Sequence, residues 1–249
     1  MDLSFRFYGQ LNDFLAPARR GLRFPHHLRN IASVKDAVEA LGVPHPEIDL
    51  ILVNGVGVSF SALLEDGDDV SVYPAFRRLD ISSLERVGAE PPNPVRFALD
   101  THLGKLASLV RLAGFDGVLI DDDADLAKTA ATDDRVTLTR DVALLKRSIV
   151  RYGYWVRNTD PERQLAEVLE RFDLAGRMKP FVRCLRCNTP LEGVEADAVA
   201  DRLLPGTRAS FSEFRRCPGC GRIYWEGSHY KALCRTLERV RAIGTQRWR

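Results

Sequence analysis

VRFALD at positions 95–100 and RVTLTRD at positions 135–141 decide the fold of the larger part of this chain of 249 residues. Each is a short apolar run that ends in an aspartate and is followed by residues with helical periodicity. Another apolar run, 117–120, lies between them and also precedes a helical pattern. Alternating strands and helices predict an α/β fold, in which a parallel sheet carries helices on its faces.

Aspartates follow all three predicted strands. Asp100 closes the first strand, Asp141 closes the third, and Asp123 begins the helix after the second. Because ligands of open parallel sheets bind beyond the carboxyl ends of the strands, we expect these carboxylates to converge. Converging carboxylates repel one another unless a divalent cation neutralises them, so the pattern predicts a Mg²⁺ or Mn²⁺ site suited to phosphodiester hydrolysis. An ordinary helix N-cap explains any one of them alone.

Residues 1–77 predict a separate α+β domain. An alternating strand begins at Leu3, an extended stretch at 21–26 follows, and Ser33 is placed to cap a short helix. The pair Asn54-Gly55 after an apolar run predicts a hairpin, since both residues tolerate the positive φ of a tight turn. With the last strand that follows, this is the element order of a β-grasp domain.

The composition of the sequence predicts how the rest of the chain is divided into a linker and further domains. Residues 78–94 form a predicted linker, because its Glu-Pro-Pro-Asn-Pro end fits neither a helix nor a central strand. The sheet then occupies 95–178, and 179–249 surrounds the cysteines. With 45% hydrophobic and 28% charged residues, and neither a membrane-length apolar run nor a signal-peptide start, the sequence predicts a cytoplasmic protein without membrane contact.

Four of the five cysteines form two Cys-x-x-Cys pairs separated by 29 residues: Cys184, Cys187, Cys217 and Cys220. This spacing is typical of a structural zinc ribbon, in which four thiolates surround the ion. Because four thiolates fill the coordination shell, we expect this metal to be structural. The fifth cysteine, Cys234, shares a predicted helix face with Leu237, and we expect it to be buried in packing.

The end of the chain is strongly basic. Residues 202–249 carry eleven Lys and Arg against three Asp and Glu, a net charge of +8, whereas the rest of the chain carries −6. Aromatic residues interleave with these cations, a pattern typical of surfaces that bind unpaired nucleotides. The alternative is that the rings form a small core around the metal. The candidate contacts to a polyanion are Arg215, Arg216, Arg222, His229 and Lys231.

Together these motifs resemble the PIN-like ribonuclease family named for the C-terminal domain of the Mut-seven exonuclease. The residues that carry the resemblance are FALD at 97–100, LAGFD at 112–116, RVTLTRD at 135–141, both cysteine pairs and YWEGSH at 224–229. Residues 50–74 are similar to ubiquitin-like sulfur carriers, and bacterial members of the family carry such a domain ahead of the nuclease.

The resemblance implies a PIN fold, divalent-metal-dependent cleavage of RNA, and a zinc ribbon. Asp100 and Asp141 match the family's first acid and its Thr-Arg-Asp acid. Asp123 is our placement of the middle acid, with Asp122 and Asp125 as rivals. A fourth acid is not assigned, which leaves open whether one or two metal ions bind.

The sequence therefore predicts a cytoplasmic, metal-dependent ribonuclease. Its zinc ribbon and basic end would hold RNA, and its ubiquitin-like domain would recruit a protein partner or brace the nuclease. One alternative is a non-catalytic RNA-binding adaptor with a degenerate PIN fold. Another is a sulfur-carrier accessory protein. Against the latter, the chain runs on past Pro74 instead of ending in the free Gly-Gly that sulfur transfer requires.

Overall fold

The computed structural model describes residues 1–75 and 86–246. Residues 78–85 of the predicted linker lie outside this part, and the predicted division of the chain into domains stays a prediction. The chain forms two compact units, residues 1–91 with 127–155, and residues 92–126 with 156–249. None of the helices in the described part combines the length and apolar character needed to cross a lipid bilayer.

The first 75 residues fold into a five-stranded sheet with one helix. In chain order the elements are β1 (Asp2–Phe7), β2 (Arg23–His27), α1 (Val34–Ala40), β3 (Ile48–Val53), β4 (Val56–Gly57) and β5 (Asp69–Pro74). The strand order is β2-β1-β5-β3-β4, with β1 and β5 parallel. One face of β1 and β5 packs on α1, where Phe5, Val72 and Val38 are fully buried. This is the predicted β-grasp arrangement.

The local signals in this domain act as the sequence predicts. The Ser33 hydroxyl accepts a hydrogen bond from the Asp36 backbone N–H at 3.1 Å and caps α1. Asn54 and Gly55 adopt φ values of 51° and 83° and join β3 to β4. The predicted extended stretch at 21–26 begins two residues too early, because Gly21 has a φ of 69° and lies in the turn before β2.

The following region is α/β, as predicted. Its elements are β6 (Arg96–Asp100), α2 (Gly104–Leu112), β7 (Asp116–Ile120), α3 (Asp123–Thr132), β8 (Val136–Thr139), α4 (Val142–Leu145), β9 (Gly153–Trp155) and α5 (Pro161–Arg171). In this region β7 pairs parallel to β6, and β9 pairs parallel to β8. At the start of α5, Asp160 accepts a hydrogen bond from the Arg163 N–H at 3.0 Å, and Pro161 takes the first helical position.

Polar contacts join the β-grasp sheet to the segment 142–155 within the first unit. The ring of His45 lies between two acceptors, with Nδ1 2.7 Å from a carboxylate oxygen of Glu39 and Nε2 2.9 Å from the carbonyl oxygen of Val150. The carboxylate of Glu47 is fully buried and accepts a hydrogen bond from the backbone N–H of Trp155 at 2.7 Å. These contacts fix the end of β9 to the β-grasp domain.

The remaining residues form a small antiparallel sheet and a long helix. The elements are β10 (Glu192–Val194), α6 (Pro205–Ser210), β11 (Phe214–Arg216), β12 (Ile223–Tyr224) and α7 (Ser228–Gln246). The strand order is β10-β11-β12. Helix α7 packs along α5, where Arg239 forms a two-pronged ion pair with Glu162 at 2.5 and 2.8 Å.

Candidate functional site

The four cysteines of the two Cys-x-x-Cys pairs meet at one point. Their sulfur atoms all lie within 4.8 Å of one another, with Cys184 3.5 Å from Cys220 and Cys187 3.3 Å from Cys217. Four thiolates at 2.3 Å from a zinc ion stand roughly 3.8 Å apart in a regular tetrahedron. The arrangement can therefore hold a metal ion such as zinc, as the spacing predicts.

The same backbone turn presents both pairs. The N–H of Asn188 donates to the carbonyl of Cys184 at 3.0 Å, and the N–H of Gly221 donates to the carbonyl of Cys217 at 2.8 Å. Asn188 and Gly221 have φ values of 70° and 73°, a conformation that glycine and asparagine adopt most readily. Each pair is thus shaped by a turn of five consecutive residues.

Neighbouring hydroxyl groups act on the pKa of two of the four thiols. The hydroxyl of Thr189 lies 3.4 Å from the sulfur of Cys187, and this contact lowers the pKa of that thiol to about 6. Burial raises the pKa of Tyr224, so its hydroxyl stays protonated and can donate to the sulfur of Cys184, 3.1 Å away. Both contacts favour the thiolate form, which is the form that binds metals.

A buried arginine attaches the first cysteine turn to the α/β region. Arg111 of α2 is only 6% exposed. Its Nη1 donates to the carbonyls of Leu185 and Arg186 at 3.0 and 2.7 Å, and its Nε donates to the carbonyl of Gly117 at 2.8 Å. One guanidinium group therefore ties the backbone beside two metal ligands to strand β7.

Asn188 makes a second connection between the same parts. Its side-chain oxygen accepts from the N–H of Gly117 at 3.0 Å, and its side-chain nitrogen donates to Asp116 at 2.8 Å. The sequence analysis missed both Arg111 and Asn188. A signal for Asn188 was present, because each cysteine pair is followed directly by a residue that tolerates positive φ. No local signal distinguishes Arg111 from an exposed residue of an amphipathic helix.

Two of the three predicted catalytic aspartates share a local geometry. Asp100 ends β6, is 6% exposed, and accepts from the N–H of His102 at 2.7 Å. Asp141 is exposed, follows β8, and accepts from the N–H of Ala143 at 2.8 Å. In each case the backbone N–H two residues later orients the carboxylate. Both residues are N-caps, so the N-cap explanation also holds for them.

The middle aspartates differ from one another. Asp123 is exposed and is the first residue of α3. Its neighbour Asp122 makes the capping contacts, accepting from the N–H groups of Ala124 and Asp125 at 2.8 and 2.9 Å. The geometry that Asp100 and Asp141 share thus recurs at Asp122, whereas Asp123 is the first residue of the helix.

The described residues contain one group of three or more His, Cys, Asp or Glu side chains close enough to share a metal ion, and it is the four cysteines. The three aspartates are not part of it, and their catalytic role stays a prediction. The predicted RNA contacts are all exposed, and their role also stays a prediction: Arg215, Arg216, Arg222, His229 and Lys231. Cys234, expected to be buried, is partly exposed on α7.

Two family models match this chain. The Mut7-C RNAse domain matches residues 95–237, more than half of the chain, and the Mut7-C ubiquitin domain matches residues 1–80. Neither the curated proteins nor the solved structures compared with the chain gave a match. The matched ranges cover the α/β region with the cysteine cluster and the β-grasp sheet, and they confirm the resemblance drawn from the motifs. The chain belongs to the Mut7-C RNAse domain family, with a Mut7-C ubiquitin domain over its first 80 residues.

Proposed function

We propose that this protein is a ribonuclease that hydrolyses RNA phosphodiester bonds with the help of a divalent cation. The observation that carries the proposal is Asp100, a nearly buried carboxylate at the carboxyl end of β6, inside the region that matches the Mut7-C RNAse domain. Ligands bind at that end of the strands in open parallel sheets. The proposed metal ligands are Asp100, Asp123 and Asp141.

Bound Mg²⁺ or Mn²⁺ would activate a water molecule and stabilise the leaving oxygen of the phosphodiester. The protein contributes carboxylate oxygens and holds them in a fixed orientation. At Asp100 and Asp141 one oxygen of the carboxylate is held by a backbone N–H, which limits rotation of the side chain. A carboxylate oriented in advance loses less entropy when it binds a cation.

The four cysteines would hold zinc as a structural ion, because thiolates are soft ligands that select zinc over Mg²⁺. The exposed cations of β11, of the turn before β12 and of the start of α7 would attract the RNA backbone. This part of the proposal is supported by the excess of eight positive charges after residue 201. We also propose a cytoplasmic location, and a brace or partner-binding role for the ubiquitin-like domain.

A test of the proposal compares RNA cleavage by the wild type, Asp100→Asn and Asp141→Asn with added Mn²⁺ or Mg²⁺. Asparagine keeps the oxygen that accepts the backbone hydrogen bond and removes the charge. We expect each variant to lose at least about a hundredfold in rate, since even outer contacts of a metal site are worth 10- to 100-fold. Asp173→Asn is the matched control, because this exposed residue has a φ of 51° that asparagine tolerates.

Zinc content and thermal unfolding must be unchanged in all variants. Equal cleavage by all four proteins would exclude the proposed site.

A second function, that of a non-catalytic RNA-binding adaptor, is favoured by the absence of the aspartates from the metal-sharing group in the described residues. It predicts that the wild type binds RNA and that no metal ion produces cleavage.

A further inference from the structure

Phe181 has an unusual backbone conformation. Its φ is 61°, in the left-handed region that bulky residues rarely adopt. Hydrogen bonds hold the chain on both sides: the N–H groups of Lys179 and Phe181 donate to the carbonyls of Ala113 and Leu112 at 3.0 and 3.3 Å. Nη1 of Arg215 donates to the carbonyl of Phe181 at 3.2 Å. Glycine or asparagine would fit this position with less strain, so the aromatic ring needs a separate reason.

The ring of Phe181 lies against Tyr230 in the first turn of α7. The two ring centroids are 4.3 Å apart and the planes are inclined by 34°. Both residues are only partly buried. The pair therefore presents aromatic surface to solvent.

The charge around this pair is mostly positive; Glu226, whose carboxylate accepts a hydrogen bond from the Tyr230 hydroxyl, is the acidic exception. Residues 174–191 contain four basic and no acidic residues, and the chain after residue 201 adds the excess of eight positive charges. Next to Tyr230, His229 and Lys231 are exposed, and Arg215 and Lys179 are exposed beside Phe181. A cationic surface with aromatic rings suits a polyanion that also offers flat groups for stacking.

We propose that Phe181 and Tyr230 form a platform on which an unpaired base of single-stranded RNA stacks, while Lys179, Arg215 and Lys231 contact the neighbouring phosphates. Single-stranded RNA fits better than a duplex, because the faces of paired bases are covered by their neighbours. It fits better than an acidic peptide, because a peptide would use the cations and not the rings. The inference rests on the proposed function in taking RNA as the substrate.

The experiment measures binding of a fluorescein-labelled 20-nucleotide oligouridine to the zinc-loaded full chain by fluorescence anisotropy. A strand of the same length with abasic nucleotides serves as the second probe. No Mg²⁺ or Mn²⁺ is added, so that the proposed cleavage does not disturb the measurement. The difference in affinity between the two strands reports base stacking alone.

Two variants remove one ring each. Phe181→Asn keeps a residue that tolerates positive φ, and Tyr230→Leu keeps an apolar helix residue. We expect each to weaken oligouridine binding at least about fivefold and to leave the abasic strand within about twofold of the wild type. Tyr230→Phe is the matched control, because it keeps the ring and should bind both strands like the wild type.

Lys231→Ala separates charge from stacking. It should weaken binding of both strands equally and reduce the slope of log affinity against log salt by about 0.7, the value for one phosphate contact on a single strand. An equal loss for Phe181→Asn on both strands would mean that the substitution acts through charge or folding, and would overturn the platform.

If Phe181→Asn and Tyr230→Leu bind oligouridine as tightly as the wild type does, the inference is also overturned, and the two rings have only a packing role. Tighter binding of duplex RNA or polyglutamate than of oligouridine by the wild type would overturn it as well. The proposed function fails in a different way. In that case the wild type cleaves no RNA with any metal ion, while stacking-dependent binding of oligouridine persists.

Discussion

The cysteine cluster and the aspartates of the sheet are two predicted metal sites that the chain builds differently. Each cysteine pair is shaped by a turn of five residues, closed by a backbone hydrogen bond at Asn188 or Gly221. The four sulfur atoms then lie within 4.8 Å of one another. At Asp100 and Asp141, by contrast, a neighbouring N–H orients each carboxylate separately.

This difference follows from the chemistry of the ligands. Thiolates bind zinc tightly, and a closed site of four of them contributes directly to folding. Carboxylates are charged at neutral pH and repel one another, so a site made of them is stable only when a cation is bound. We therefore expect the cysteine site to support folding, and the aspartate site to depend on the cation for its assembly.

The largest effect should come from loss of the thiolate site. Cys184→Ser replaces a fully buried ligand, and we expect it to abolish stoichiometric zinc binding and to unfold the region around β10, β11 and β12. Structural zinc sites contribute on the order of 10 kcal/mol to folding. Zinc content by mass spectrometry and hydrogen exchange of residues 180–227 would show the change.

Cys234→Ser is the control for that substitution, because Cys234 does not belong to the cluster. It should keep one zinc ion per chain and the exchange pattern of the wild type. If the Cys184→Ser variant retains its zinc, the proposed difference between the cysteine site, which supports folding, and the aspartate site, which does not, is wrong.

A smaller effect is expected from Arg111→Met, which keeps the length of the side chain and removes its donors. The carbonyls of Leu185, Arg186 and Gly117 would lose their shared partner, and an unsatisfied buried polar group costs about 1–3 kcal/mol. We expect weaker zinc binding and a lower free energy of unfolding in urea. Unchanged zinc affinity would show that the cysteine turn does not need its attachment to β7.

The smallest effect on stability is expected at Asp122 and Asp123. Substitutions of these two residues also test which of them is the middle metal ligand. Asp122→Ala removes a helix cap and should cost about 1 kcal/mol in thermal or urea unfolding. Asp122→Asn keeps the cap and should keep both stability and cleavage. Asp123→Asn should keep stability and reduce cleavage about a hundredfold, if Asp123 is the middle ligand. The reverse result for the two asparagine variants would transfer that role to Asp122.

Features set by neighbouring residues could be predicted from the sequence. The cap at Ser33, the Asp160-Pro161 start of α5 and the Asn54-Gly55 hairpin all depend on a few consecutive positions, and the structure confirms them. The cysteine cluster belongs to the same class, because two short turns need only one further contact to meet. The α/β region could be predicted because its apolar runs and helical periods alternate.

Features that depend on residues far apart in the sequence could not be predicted. Arg111 is buried because the backbone of residues 185 and 186 covers it, 74 and 75 positions further along the chain. Phe181 adopts a positive φ because contacts from α2 and Arg215 hold it there, and nothing in its own sequence neighbourhood indicates this. The choice between Asp122 and Asp123 as the middle ligand also lies beyond the sequence, since both precede or begin the same helix.

The hydrogen bond between the ring of His45 and the carbonyl of Val150 limits where the chain can be truncated. A polypeptide that starts at residue 95 would lack Glu39, whose backbone carbonyl accepts from Lys146 at 2.6 Å, and Glu47, which accepts from Trp155. The exposed edge would then offer unpaired backbone groups and the indole that Phe14 covers, with ring centroids 5.0 Å apart. We expect such a fragment to aggregate more readily than the full chain.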